Sequence, residues 1–391
     1  MNTYNQRRIR VGMIGGGIGS TIGEVHRSAM RLTDRFDLVA GIFSRNHKHS
    51  LHTGLQIGID PNRTYAGIEE MIQLETVRPD GVELVVIVTP NESHFPLAYA
   101  AIDAGLHVVC EKPLTASLRD ALDLYKKTIA SRIVFGLTHN YSGYSMVRQA
   151  AAMVREGSLG TVRLVQAEHA QGAGALPVEF TEGIPVPWRS DPEQVGKEIV
   201  VADIGTHAHH LIRFITGQEV EEVSADLSTH VKGRKVYDNA QISLRLTNGS
   251  RGALWASRVA TGNEHGLRIR IFGERAALHW DHEDPEHLRF CPLDKPPLTL
   301  SKGQPGLSSA AQATQRLRLG HPEGFIDSFA SLYHDFGDAI QDRGDRNSLP
   351  DLESIFPTVV DGVYGVTFIE SVSRSHKANG AWTETSVSLD K

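Results

Sequence analysis

The sequence feature that most constrains the fold is a run of glycines placed directly after the first apolar segment. Residues 9–14 predict a strand, and Gly15-Gly16-Gly17-Ile18-Gly19-Ser20 follows it and opens a helical pattern at 22–32. In this context glycines permit a tight turn and bring backbone N–H groups close to a pyrophosphate, whose charge the helix N-terminus favours. We predict a dinucleotide site that includes Gly15, Gly17, Ile18 and Gly19; the alternative is a purely structural turn.

The order of strands and helices predicts an α/β protein with two domains. The first third alternates short apolar strands with helical patterns, which is typical of a parallel sheet with helices on both faces. After about residue 140, strands follow one another without intervening helices, and Asn248-Gly249 predicts a hairpin. We expect a Rossmann domain over 1–140 and a second α/β domain over 141–391 with an open, largely antiparallel sheet and a C-terminal helix that packs back on the Rossmann domain.

The individual elements follow from periodicity and turn residues. The other predicted elements are strands at 37–43, 82–88, 107–110, 132–137, 161–169, 221–231, 239–246, 252–258, 267–272 and 276–280, helices at 117–128, 146–156, 322–341 and 352–375, and a surface loop at 292–306.

Charge and cysteine content exclude several functional classes. The net charge is −6 and lysines and arginines are scattered, so we expect no nucleic-acid partner. The two cysteines, Cys110 and Cys291, form no C-x-x-C motif, which predicts neither a disulfide framework nor a thiolate zinc site. The N-terminus has no apolar signal segment and no later run reaches membrane-spanning length. We therefore expect a cytoplasmic protein that binds no membrane.

The end of the second predicted strand bears on the choice of cofactor. An NAD site usually has an acidic residue there to bind the ribose 2′-OH, but this strand ends Ile42-Phe43-Ser44-Arg45. Ser44 and Arg45 are candidate ligands for a 2′-phosphate. Both NAD and NADP therefore remain open.

Two further segments end strands at the carboxyl edge of the predicted sheet, where doubly wound folds bind ligands. Thr89-Pro90-Asn91, with His94 one turn later, ends one strand, and Cys110-Glu111-Lys112-Pro113 ends another. A lysine there would place positive charge on a developing alkoxide; the alternative is a surface lysine in a turn. We assign these candidates to the cofactor site: Thr89, Pro90, Asn91, His94, Glu111 and Lys112.

The third element is Asp203-Ile204-Gly205-Thr206-His207. On a helix, spacing i, i+4 places Asp203 and His207 on one face, as a base and its partner. The alternative is an Asp203 that caps the helix beside a packed histidine. His209 and His210 raise a metal hypothesis, but no second cluster with ligand spacing stands nearby, so we expect no metal.

Together these segments, in this order, resemble the glucose–fructose oxidoreductase / inositol dehydrogenase / MocA (Gfo/Idh/MocA) family from end to end, including Asp361-Gly362-Val363 in the last helix. The resemblance implies NAD(P)-dependent oxidation of CH–OH groups in a homo-oligomer, dimer or tetramer, formed through the C-terminal sheet. It also implies that Lys112 is the catalytic lysine, His207 the general acid/base and Asp203 its partner. Ser44-Arg45 departs from the family pattern, as does a lengthened glycine turn in which Gly23 replaces Ser20 as third glycine.

By the same resemblance the substrate contacts are Lys112, Asn140, Tyr141, Trp188, Arg189, Asp203 and His207. Aromatic faces with amide, guanidinium and carboxylate groups suit a polyhydroxylated ring, although Tyr141 and Trp188 could equally be packing residues. The leading hypothesis is a sugar or cyclitol dehydrogenase. The alternatives are a carbonyl reductase with a non-sugar substrate and a non-catalytic NAD(P)-binding regulator.

Overall fold

The computed structural model describes residues 7–181, 188–345 and 355–389. It divides into two units, Met1–Gly143 with Phe325–Val363 and Tyr144–Gly324 with Tyr364–Lys391. We refer to these as the first and second units.

The first unit contains a five-stranded parallel sheet. Its continuous runs of branched apolar residues suit strands buried on both faces, and all five residues of Leu84–Val88 are buried. The strand order is β2-β1-β3-β4-β5. The strands are β1 Ile9–Gly15, β2 Phe36–Ile42, β3 Leu84–Val88, β4 His107–Cys110 and β5 Phe135–Leu137, and the helices between them are α1 Thr21–Thr33, α2 His47–Gln56, α3 Ile68–Glu75, α4 His94–Asp103 and α5 Leu118–Ser131.

The second unit contains a nine-stranded sheet with the order β13-β12-β11-β10-β6-β9-β8-β7-β14. Only β6 and β9 pair in parallel; the other neighbours are antiparallel. The strands are β6 Val162–Ala170, β7 Val220–Ser228, β8 Asn239–Leu246, β9 Arg251–Ser257, β10 Leu267–Gly273, β11 Ala276–Asp281, β12 His287–Pro292, β13 Leu298–Ser301 and β14 Thr383–Glu384. The α/β class with one parallel and one largely antiparallel sheet is therefore confirmed.

The remaining helices complete both units. They are α6 Ser145–Arg155, α7 Pro192–Val195, α8 Thr206–Thr216, α9 Ser309–Ala313, α10 Phe325–Asp345 and α11 Val359–Lys377. Helix α10 belongs to the first unit, where Phe329, Tyr333 and Phe336 join the core formed by the buried side chains of β1 and β3. A Cβ on Gly136 would lie 2.4 Å from the Phe336 ring, so β5 and α10 pack in direct contact.

Three sequence predictions need correction. The predicted loop at 292–306 contains β13, which pairs with β12; the flanking prolines obscured this short Leu-Thr-Leu-Ser strand. The helix predicted at 322–341 runs instead over Phe325–Asp345, and the one predicted at 352–375 begins at Val359, two residues after Pro357. Positions 352–354 of that second prediction lie outside the described residues.

Within the described residues, no helix combines the length and the apolar character needed to cross a membrane.

Candidate cofactor and substrate site

The glycine turn at the end of β1 passes close to β3. Gly15 and Gly16 have φ angles of 84° and 65°, and a Cβ on Gly15 would lie 2.1 Å from the Val88 carbonyl oxygen. A Cβ on Gly17 would lie 2.6 Å from the Phe43 carbonyl oxygen. Because any side chain would collide with backbone here, the turn requires glycine, and its backbone stays open for a ligand to approach.

The start of α1 supplies the rest of this cradle. Ser20 caps the helix by accepting a hydrogen bond from the Gly23 N–H at 3.2 Å. A Cβ on Gly23 would lie 2.4 Å from the Gly16 Cα, so Gly23 gives the close helix–strand packing that the third glycine of a dinucleotide turn provides. Ile18 and Gly19 lie between these points, Ile18 with 56% of its surface exposed. The cradle and the adjoining helix N-terminus suit a pyrophosphate.

The segment after β2 begins a second helix. The Ser44 hydroxyl accepts from the Asn46 N–H at 3.2 Å, and Asn46 caps α2 by accepting from the N–H groups of Lys48 and His49. Arg45 and Lys48 are exposed. Positions 42–49 include no carboxylate, so the fold provides a hydroxyl and cationic side chains where an NAD site usually has an acid.

The carboxyl ends of β3 and β4 are joined through a buried histidine. Asn91 begins a short 3-10 helix, Asn91–Ser93, and His94 opens α4. The side chain of His94 is fully buried, with Nδ1 2.8 Å from the Pro113 carbonyl oxygen and Nε2 2.9 Å from the Thr89 carbonyl oxygen. His94 therefore links the segment after β3 to the segment after β4.

Glu111 is a buried acidic residue with several hydrogen bonds. Its Oε1 lies 3.0 Å from His26 Nε2 and accepts from the Thr138 hydroxyl at 2.6 Å, and its Oε2 accepts from the Lys112 N–H at 3.2 Å. Burial alone would raise the pKa of Glu111, but the hydrogen bonds from His26 and Thr138 and the positive charge of Lys112 lower that pKa. A buried carboxylate therefore stands directly before Lys112.

Asn140 and Tyr141 lie in the 3-10 helix Asn140–Gly143, and both are nearly inaccessible. The Asn140 amide donates to the Ser328 hydroxyl at 3.1 Å, and the Tyr141 and Phe325 ring centroids are 6.2 Å apart. These contacts connect the segment after β5 to α10 within the first unit. The structure thus gives both residues a packing role, and their substrate contact stays a prediction.

Asp203 and His207 lie in the second unit on two kinds of helical turn. Residues Val201–Gly205 form a π-helical turn, and α8 continues from Thr206. Asp203 is not a cap; its Oδ2 accepts from Arg189 Nε at 3.0 Å and from Arg258 Nη1 at 2.7 Å. Arg189 lies in the short 3-10 helix Trp188–Ser190; the side chain of Trp188 is outside the described part of the structure.

A row of imidazoles beside His207 was missed by sequence analysis. The His169 ring centroid lies 5.9 Å from that of His207 and 4.7 Å from that of His265, which in turn lies 4.2 Å from His282. His169 donates from Nδ1 to the Ile204 carbonyl oxygen at 3.0 Å. These residues come from the ends of β6, β10 and β11, three neighbouring strands, so the row is a product of sheet order.

Side-chain contacts bind this row together. The Gln171 amide lies 3.2 Å from His169 Nε2 and 3.4 Å from His265 Nδ1, and the Tyr144 hydroxyl lies 3.2 Å from His282 Nε2. Burial and the neighbouring His265 lower the pKa of His282 to about 3, and burial lowers the pKa of His265. His265 and His282 are therefore uncharged near neutral pH.

The histidine pair in α8, His209 and His210, makes packing contacts with aromatic rings. No group of three or more potential His, Cys, Asp or Glu ligands occurs in the part of the chain that the structure describes. His209 stacks on Phe368 with ring centroids 4.2 Å apart, and burial holds its pKa well below the usual value.

Two family models match the chain. The model described as "Oxidoreductase family, NAD-binding Rossmann fold" matches residues 9–139, and that described as "GFO/IDH/MocA C-terminal domain" matches residues 147–279. An uncharacterised oxidoreductase of Bacillus subtilis is 32% identical over 381 residues, which are 96% of each chain. The chain belongs to the Gfo/Idh/MocA family. The predicted family is thereby confirmed, and this family member is an NAD(P)-dependent oxidoreductase.

Solved structures of related proteins agree with this assignment. An inositol dehydrogenase homologue from Azotobacter vinelandii, in complex with NAD+, matches with a TM-score of 0.91 and 37% identity over 97% of each chain. The same organism's homologue with NADH and myo-inositol matches with a TM-score of 0.88 and 36% identity, covering 97% of this chain and 98% of the other. The cofactor of this Gfo/Idh/MocA protein is a nicotinamide dinucleotide.

Proposed function

We propose that this oxidoreductase oxidises a secondary alcohol of a sugar or cyclitol by hydride transfer to a nicotinamide dinucleotide. The observation that carries the proposal is the likeness, at 36% identity over 97% of the chain, to an inositol dehydrogenase homologue bound to NADH and myo-inositol. Lys112, Asp203 and His207 supply the side chains that such a reaction requires.

Each of these residues has a defined part in the proposed reaction. The cofactor accepts the hydride from the carbinol carbon, while the hydroxyl proton moves to the imidazole of His207. The ammonium group of Lys112 orients the substrate oxygen and stabilises its developing negative charge. Asp203, with its Oδ2 bound by Arg189 and Arg258, presents a fixed carboxylate that accepts from substrate hydroxyls.

The cofactor is held by the glycine cradle and the N-terminus of α1, with Thr89, Pro90 and Asn91 at the carboxyl end of β3 beside it. At the adenosine end we propose that Ser44 and Arg45 admit a 2′-phosphate, so that NADP is used as well as NAD. The ratio of kcat/KM for NAD and NADP tests this part of the proposal. A preference for NAD on the order of 100-fold would contradict it.

A substrate-by-cofactor screen tests the reaction. The full-length protein is mixed with NAD or NADP and a panel of inositols, aldoses and glycosides, and reduced nicotinamide is followed by its absorbance. We expect Lys112→Met and His207→Ala to lower kcat by about 100-fold or more, because proton transfer and charge stabilisation each contribute factors of that size. Cofactor Kd should change little.

Matched controls make this test specific. Lys127 pairs with Asp103 and His287 pairs with Asp284 on the surface, so Lys127→Met and His287→Ala remove the same residue types elsewhere. Both controls should keep full kcat. Retained turnover in Lys112→Met and His207→Ala, or no turnover across the panel with cofactor still bound, would contradict the proposal.

We further propose that the chain works in the cytoplasm as a dimer or tetramer assembled through the nine-stranded sheet. One face of this sheet carries a groove of about 660 Å³ lined by alternate side chains of neighbouring strands, including Trp255, Arg268 and His279. Aromatic side chains and arginine are enriched at protein interfaces. Trp255→Glu should produce monomers in sedimentation analysis; unchanged assembly would exclude this face as the interface.

A further inference from the structure

Lys112 lies between two residues that buried histidines bind. Glu111, on its N-terminal side, is bound by His26 of α1, and Pro113, on its C-terminal side, is bound by His94 of α4. Both histidines are fully buried. The short segment that carries Lys112 is therefore fastened at both ends to helices of the first unit.

The contacts of His26 have a defined direction. Glu111 is held ionised, so it only accepts, and His26 must donate from Nε2. His26 Nδ1 lies 2.7 Å from the hydroxyl oxygen of Tyr333, and burial keeps the pKa of Tyr333 well above its usual value, so this phenol stays protonated. The His26 ring is thus bound at both nitrogens, which holds its donor to Glu111 in one orientation.

His94 acts on the other side of Lys112 by a different means. Its two ring nitrogens face the carbonyl oxygens of Thr89 and Pro113, which can only accept. Burial lowers the pKa of His94, while both carbonyls favour the doubly protonated ring. An apolar replacement would remove both ring nitrogens from these buried carbonyls and leave at least one carbonyl without a donor, and would release the segment after β4 from the segment after β3.

We propose that His26 and His94 are positioning residues that hold the backbone of Lys112 in the geometry that catalysis requires. Tyr333 contributes to this positioning because its hydrogen bond fixes the orientation of the His26 ring. The inference rests on the proposed role of Lys112. It adds that the position of Lys112 depends on two helices of the first unit. These are α1, which follows the glycine turn, and α10, which lies near the end of the sequence.

The experiment compares variants that lose a hydrogen-bond donor at position 26 or 94 with a variant that keeps one. His26→Leu and His94→Leu remove the donors, and we expect kcat to fall about 10- to 100-fold, because a misplacement of about 1 Å can cost on the order of 100-fold. The KM for the alcohol should change by less than about 3-fold. His26→Gln keeps a donor toward Glu111 and an acceptor for Tyr333, and should restore most of kcat.

Tyr333→Phe has a matched control in Tyr65→Phe. Tyr65 is buried and donates its hydroxyl to Glu75 at 2.6 Å, so both substitutions delete a hydroxyl from a buried network that ends on a carboxylate. We expect Tyr333→Phe to lower kcat and Tyr65→Phe to leave it unchanged. Amide hydrogen exchange at Lys112, whose N–H donates to Glu111, should accelerate in His26→Leu and Tyr333→Phe but not in Tyr65→Phe.

The outcomes separate this inference from the proposed function. Turnover in Lys112→Met would contradict the catalytic role of the lysine, whereas the exchange rates would still report whether His26 fixes its backbone. If Lys112→Met is inactive but His26→Leu and His94→Leu keep wild-type kcat and exchange, the positioning role is refuted. Equal losses of kcat in Tyr333→Phe and Tyr65→Phe would also refute it, since they would indicate general destabilisation.

Discussion

Two regions of the predicted site differ in their contacts: the glycine turn and the segment at His94 in the first unit depend on backbone groups, whereas the row of imidazoles in the second unit depends on side chains that contact one another. At the glycine turn and at His94, the partners are carbonyl groups whose positions the parallel sheet determines. In the row of His169, His265 and His282, each imidazole depends on its neighbours. We expect substitutions in the first region to act through steric fit, and those in the second to act through charge.

The largest expected effect tests whether close backbone contact requires glycine in the turn after β1. Gly15→Ala would place a Cβ 2.1 Å from the Val88 carbonyl oxygen at a φ of 84°, and we expect a loss of about 3 kcal/mol or more in the free energy of unfolding. Urea unfolding, followed by far-UV circular dichroism, measures it, and NADH binding should be lost as well.

Gly19→Ala is the matched control for this substitution. Gly19 also has a positive φ, 88°, but no atom lies within 4 Å of the position of its Cβ. Only conformational strain remains, so we expect a loss of about 1 kcal/mol. Equal losses in the two variants would show that strain, and not contact with β3, makes glycine necessary at Gly15.

A smaller expected effect tests whether protonation of an imidazole in the row destabilises the second unit. The pKa of His282 is about 3, below the usual 6.5, because of burial and the neighbouring His265. The unfolded chain therefore binds a proton that the folded chain does not, and stability is complete above about pH 6.5 and falls as the pH decreases toward 3. At about pH 5 we expect the wild type to have lost about 1–2 kcal/mol through His282, allowing for its partial exposure.

Denaturation at several pH values measures this dependence. His282→Gln should flatten the profile below about pH 6.5. An unchanged slope in His282→Gln would show that the row of imidazoles does not control the stability of the second unit at acid pH.

The same difference explains how much the sequence could predict. The strand ends at Gly15, Thr89 and Glu111 could be brought together in advance, because parallel strands end at one edge of a sheet. The bond between His26 and Tyr333 could not, since it joins residues 307 positions apart through a helix that the sequence pattern placed after the second sheet. In the second unit, the row of imidazoles follows from the adjacency of β6, β10 and β11, which no local periodicity specifies.

Local pattern also failed where a helix departs from regular geometry. Asp203 and His207 were predicted one turn apart on an α-helix, but the turn that carries Asp203 is π-helical. Sequence spacing gave no indication of Arg258, which comes from the end of β9 and binds Asp203. The sequence therefore predicted Asp203 as the acidic partner of His207 from its residue type and its spacing. The two arginines that bind its carboxylate could be identified only from the fold.

The smallest expected effect concerns the two arginines that bind Asp203 in the second unit. Arg258 donates to Asp203 at 2.7 Å with 24% of its side chain exposed, and Arg189 donates at 3.0 Å with 44% exposed. Because solvent screens the more exposed pair, we expect Arg258→Gln to lower kcat/KM about 10-fold, equivalent to about 1.4 kcal/mol, and Arg189→Gln about 2- to 3-fold. The double variant should lose more than the product of the two, since either arginine alone still holds the shared Oδ2 of Asp203. Strictly multiplicative losses would mean that each arginine acts on the substrate independently rather than through Asp203.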